Sequence, residues 1–207
     1  MLDFGLRMPP GAQTSLHDVN SGFIAGTRVA TAMGWRPVEA VAAGDRVLTF
    51  DGGLQEVLAV TRQTVWTGGA RAEADLWPLH VPAGTLGNRE AMTILSGQPV
   101  MIESDMAERL FGDPFATIPA RSLEGLRGIA CVPPADRIEV VHLRFAQDEI
   151  VFANVGALFH CPAQTDLLQP RVETYPVLPL EQADALVECL AAEDDSRGQA
   201  PQVRAAA

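Results

Sequence analysis

The chain has 207 residues, 47% of them hydrophobic, which is enough for one ordinary core, and it holds no apolar run of the roughly 18 residues that a membrane span needs. Twenty-six acidic residues against 15 basic ones give a formal net charge of −11, which argues against nucleic acid as a partner, because affinity for phosphates comes from clustered Arg and Lys. The cysteines, Cys131, Cys161 and Cys189, form no even-numbered framework and no C-x-x-C pair, so they read as reduced thiols of a cytoplasmic protein.

In chain order, residues 1–20 carry Pro9, Pro10 and Gly11 without periodicity and read as a flexible leader. The opening Met1–Met8 has an early acid and no apolar run after Arg7, unlike a secretory signal. Thr27–Thr31 alternates and is β-branched, Met33-Gly34 marks a turn, and Pro37–Val41 suits one helical turn closed by Gly44. Asp45–Phe50 is a strand followed by Asp51-Gly52-Gly53, a strong hairpin signal, and Gln55–Val65 reads as one long strand. Short apolar runs recur between turn residues at Leu79–Val81, Met92–Leu95, Val100–Ile102, Ile129–Val132, Ile138–Phe145 and Ile150–Ala153. Ala146-Gln147-Asp148, between two such runs, reads as a second hairpin turn. Phe50, Phe145, Phe152 and Phe159 occupy apolar strand positions and are expected in the core. These features predict an all-β domain over 21–161. The extension 162–195 contains one helix, because Leu180, Ala183, Leu186, Val187 and Leu190 share a helical face over Leu180–Glu193 behind Pro179. That face is expected to dock on the β domain through Leu186, Val187 and Leu190. The Gly/Ala/Pro/Gln-rich tail, 196–207, is expected to be disordered.

Several stretches together resemble the bacterial Hint (hedgehog/intein-type) domain family. The first is Gly22–Thr31, followed by Arg36–Val41, Gly44-Asp45, Val47–Thr49 and Asp51–Gly53. Val81–Gly87, Ile118–Leu123, Val141–Phe145 and Val151–Asn154 follow in the family's order. The resemblance implies a disc-like horseshoe of short strands whose two ends meet near one site. It also implies self-processing chemistry. In the family the domain's first residue is a Cys whose thiol attacks the preceding carbonyl, and a second block ending in His polarises that amide and protonates the departing nitrogen. An amide needs a strong nucleophile held in line, and its amine needs a positioned acid to leave.

The family's Cys position is Gly22 here, and the block that often reads Ser-Pro-Gln-His is Ser96-Gly97-Gln98-Pro99. Gly22 has no side chain and Pro99 offers no proton, so the resemblance implies a degenerate member that does not cut itself. Ser21 is the remaining candidate nucleophile if the register slips by one residue, with no base evident near it. Ser96 is a feeble substitute acid. His160-Cys161 resembles an intein C-terminal junction but lacks the intervening Asn, and Asn154 lies too far along the chain to supply it.

His142 matches a family histidine and reads as a strand residue bonded to neighbouring backbone, and Asp45 as a turn stabiliser. His17-Asp18 and His80 match no catalytic block. Cys131, His142, His160 and Cys161 lack the short spacings of a zinc site, so neither metal nor cofactor is expected. The sequence thus predicts a binding or regulatory module acting on an unknown protein or peptide partner. Its alternatives are residual autoprocessing at residue 21 and an interaction role for the C-terminal helix.

Overall fold

The computed structural model describes residues 20–66, 77–164 and 174–198. Residues 1–19 of the leader, with His17-Asp18, and residues 199–207 of the tail lie outside these, while residues 196–198, expected to be disordered, are helical. Three antiparallel sheets share one core. β2 (Arg28–Thr31), β3 (Gly34–Pro37), β4 (Arg46–Thr49), β5 (Gly53–Glu56), β9 (Pro99–Glu103), β10 (Phe115–Pro119), β13 (Glu149–Ala153) and β14 (Ala157–Cys161) form the largest, in the order β10-β9-β14-β13-β2-β4-β5, with β3 beside β2. A second sheet runs β1 (Phe23–Ile24), β12 (Arg137–Arg144), β6 (Ala59–Trp66). The third runs β11 (Ala130–Cys131), β7 (Leu79–Val81), β8 (Met92–Ile94). The fold is therefore mostly β, with a helix at its C-terminal end. Among the described residues no helix is long and apolar enough to cross a membrane.

Asp51-Gly52-Gly53 makes the β4–β5 turn, where Gly53 takes a φ of +65° that glycine adopts without penalty. Asp45 stabilises the entry to β4, since its Oδ2 accepts the Ala42 N–H at 2.9 Å. Gln55–Val65 is two strands, not one. The chain leaves the large sheet at Val57, which is fully buried and exchanges backbone bonds with Gly44 and Asp45, and Leu58 N–H then donates to Arg144 O as β6 begins beside β12. Burying Val57 at this crossing keeps both strands amphipathic in different sheets, and strict alternation along the sequence is lost as a result.

The Ala146–Asp148 hairpin does not form: β12 pairs with β1 and β6, whereas β13 pairs with β14, β2 and β4. The turn carries the chain between sheets around buried Phe145. Asp148 anchors that crossing, its Oδ1 accepting Ala163 N–H at 2.8 Å and its Oδ2 accepting Thr174 N–H at 3.3 Å. Phe145 and Phe159 lie in the core, as expected, while Phe50 and Phe152 are half-buried, and Phe50 meets both Phe152 and Phe115 ring to ring.

The sequence reading missed a short helix, α1 (Asp105–Phe111). Ser104 Oγ caps it by accepting the Met106 and Ala107 N–H groups, and Gly112 ends it at φ +80°. The second helix, α2 (Leu180–Gly198), runs past Glu193. Ala183, Leu186, Val187 and Leu190 are buried in the main core, while Leu180, on the same face by sequence, is 37% exposed. Asp194 clamps the helix to Arg127, accepting from Nε and, at 2.9 Å, from Nη2.

Candidate functional site

The site assembles where β1 begins, where the loop after β8 turns into β9, and where β14 ends. Gln98, 1% exposed, is its hub. Gly22 N–H donates to Gln98 Oε1 at 2.7 Å, and Gln98 Nε2 donates to the carbonyls of Pro99 at 2.8 Å and His160 at 3.0 Å. One side chain thus ties the start of the β domain to its last strand. The two ends of the unit meet at this residue.

Gly22 sits at φ +110°, a left-handed backbone that L side chains rarely adopt. A Cβ built on it would lie 2.8 Å from His142 Cε1, 2.8 Å from Val140 Cγ1 and 3.0 Å from His142 Nδ1. The His142 ring fills the space that a side chain at position 22 would need. His142 itself is 8% exposed, on β12. Its Nε2 lies 3.1 Å from Gln63 Nε2, on the neighbouring strand. An amide nitrogen donates, so the ring Nε2 is placed to accept from it.

Ser21 is half-buried beside this cluster. Ser96, 2% exposed, is engaged with Asn20: Asn20 Nδ2 donates to its Oγ at 3.0 Å, and the hydroxyl donates to Asn20 Oδ1 at 3.2 Å. The Asn20 carbonyl packs so close to Gly97 that a Cβ there would lie 2.7 Å from it. Pro99 opens β9 and contributes only its carbonyl. Ser21, Gly22, Ser96, Pro99 and His142 therefore gather around Gln98. Gln98, Asn20 and Gln63 were given no role from sequence. Only Gln98 had a usable signal, as the polar residue left in the Ser96–Pro99 block.

The other polar and thiol side chains lie around this cluster. Burial pushes the Cys161 thiol well above the ordinary thiol range, with Arg144 opposing and Glu149 adding to the shift, so it is a poor nucleophile. Cys161 and His160 face opposite sides of β14. His160 packs edge-on to Tyr175, with Nε2 3.7 Å from Asp148 Oδ2. Asn154 lies in the β13–β14 turn, bonded to the Arg28 N–H. Exposed His80 lines a separate groove with Ile24–Thr27 and Ala91–Thr93. Among the described residues no three His, Cys, Asp or Glu side chains are placed to hold one metal ion.

The described residues form a mostly β unit whose first and last strands meet at one buried polar hub. The chain belongs to the Hint domain family, whose profile matches residues 21–159. Among solved structures it is similar to a bacterial intein-like domain from Clostridium thermocellum, at 16% identity and a TM-score of 0.48, over 68% of this chain and 98% of that one. It is also similar to the AceL NrdHF class 3 split intein in a splice-inactive variant (15% identity, TM-score 0.41, 70% and 99% covered). The N145AA form of the MchDnaB-1 intein matches at 15% identity and a TM-score of 0.40, with 68% and 100% covered. No curated protein matches the chain.

Proposed function

We propose that this is a Hint domain that has lost self-cleavage and serves as a binding or regulatory module, with residues 21–161 as the Hint unit and the extension through α2 docked on it. The observation that carries the reading is position 22. It offers no nucleophile, its backbone suits only glycine, and the His142 ring occupies the volume a cysteine would need. The second block adds to this, since Pro99 cannot protonate a leaving amine and Ser96 is held by Asn20. Loss at both places argues against a simple slip of alignment. A fold kept while its reagents are lost is free to be used for recognition.

Adding the reagents back tests this. Gly22→Cys with Pro99→His, incubated with dithiothreitol and run on a denaturing gel, is expected to stay intact, because the thiol is added without room or backbone geometry for it. Thiol-dependent cleavage of that folded variant would show a working site disarmed by two substitutions alone. Cleavage of the unaltered chain would overturn the reading outright and point to Ser21.

A further inference from the structure

Away from position 22, the turn between β13 and β14 is strained. Asn154 and Val155 hold φ values of +44° and +82°. For a β-branched valine that conformation is an outlier, and it persists only where the surroundings over-determine it. Here Arg28 N–H donates to Asn154 Oδ1 at 2.9 Å, Asn154 N–H to Arg28 O at 2.8 Å, and Arg89 N–H to Asn154 O at 2.9 Å. Gly87 and Gly156 also approach so closely that a Cβ on Gly156 would collide with the Gly87 carbonyl. One asparagine thus fixes the backbones of two arginines.

The result is an open groove of about 270 Å³ lined by Arg28, Trp35, Arg89, Glu90, Asn154 and Val155. Trp35 and Val155 are 37% and 45% exposed. Arg36, Arg109 and Arg127 meet carboxylates, whereas among the described residues neither Arg28 nor Arg89 does. Two such guanidiniums against Glu90 leave an excess positive charge at this spot, in a chain whose net charge is −11. An apolar row leads away from it. Trp35 pairs with Ala30, Thr31 pairs with Val47 and so sets Ala30 beside Leu48, and Leu48 pairs with Leu54. Leu48 and Leu54 are each 38% exposed.

We propose that this groove and row bind an acidic–apolar segment of a partner protein. A carboxylate of the segment bridges Arg28 and Arg89, an apolar side chain lies on Trp35 and Val155, and further apolar side chains cross Leu48 and Leu54, with Ala30 buried between Trp35 and Leu48. Charge complementarity selects the occupant, since guanidinium forks favour carboxylates and the apolar row favours a peptide over a free anion. The proposal goes beyond the non-cleaving reading and does not rest on it, because a chain that cut itself could still bind here.

The test uses the full chain and a fluorescein-labelled peptide with one Glu followed by Leu and Val residues, set against the same peptide with Gln for Glu. Saturable binding is expected, weakened about tenfold or more by the peptide's Gln, by Arg28→Gln with Arg89→Gln, and by Trp35→Ala. Val155→Gly should weaken binding while raising the melting temperature, because the strain is relieved. Absence of saturable binding, or indifference to the arginine changes in a chain with unaltered melting, overturns the proposal. So does displacement by sodium succinate as tight as by unlabelled peptide, which indicates a small-anion pocket. Displacement by self-association points to a second copy of the chain and overturns it equally.

Discussion

Gly22→Ala is the smallest change that probes the closed site. The methyl group must sit on a backbone at φ +110° and within 2.8 Å of both His142 Cε1 and Val140 Cγ1. Backbone strain of this kind costs about 1–3 kcal/mol and overpacking a filled core another 1–3 kcal/mol or so, giving a loss of roughly 2–6 kcal/mol. That is a large share of the roughly 5–15 kcal/mol that holds a domain together. Urea unfolding followed by circular dichroism measures it. With a slope of roughly 2 kcal/mol per molar urea, a loss of about 3 kcal/mol lowers the midpoint by ~1.5 M at unchanged slope. His142→Ala removes two of the three nearest atoms, so the alanine at position 22 should cost less in that background, and the difference is their coupling energy. A Gly22→Ala chain within about 0.5 kcal/mol of the parent would refute the reasoning, since position 22 would then have room for a side chain.

Gln98→Leu keeps the volume but strips the hub, leaving the buried Gly22 N–H and His160 carbonyl without that partner. A loss of about 2–4 kcal/mol is expected in the same unfolding assay. Leu186→Ala opens a cavity under α2, at a side chain with no exposure, and should cost about 2–5 kcal/mol, read as a lower melting temperature. Cys161 has its thiol pKa raised by burial, so the folded state holds the proton more tightly than the unfolded one. Its contribution is intact below the unfolded value and declines above it. Relative to Cys161→Ala, the parent should lose stability as pH rises past about 8.5, and an unchanged difference across that range would contradict the burial argument.

Much of the fold was legible because local chemistry and tertiary role agree. Asp51-Gly52-Gly53 turns β4 into β5, and the Ala183–Leu190 face of α2 is the face buried. The misreadings fall where the chain changes sheets. Val57 and Phe145 are each buried at a crossing, and neither the gap after Glu56 nor the absence of a β12–β13 pair has a local signature. The α1 helix was missed at only seven residues, although Ser104 and Gly112 mark both its ends. At the site, the absence of side-chain chemistry at Gly22 and Pro99 could be read directly from the residues. The Asn20–Ser96 pair and the bridging by Gln98 come from contacts across 62 to 76 residues of sequence, which no periodicity reports, and nothing local to Gly22 marks its left-handed backbone.

Whether this Hint domain has lost self-cleavage, as proposed, is decided by intact mass spectrometry of the full chain. The purified protein is followed over days, alone, with dithiothreitol and with hydroxylamine. A single species at the full-chain mass is expected throughout, because no thioester can form at Gly22 and the Cys161 thiol is buried and protonated. A pair of fragments that meet at the Ser21–Gly22 bond, or at Asn20–Ser21, increasing with nucleophile, would contradict it.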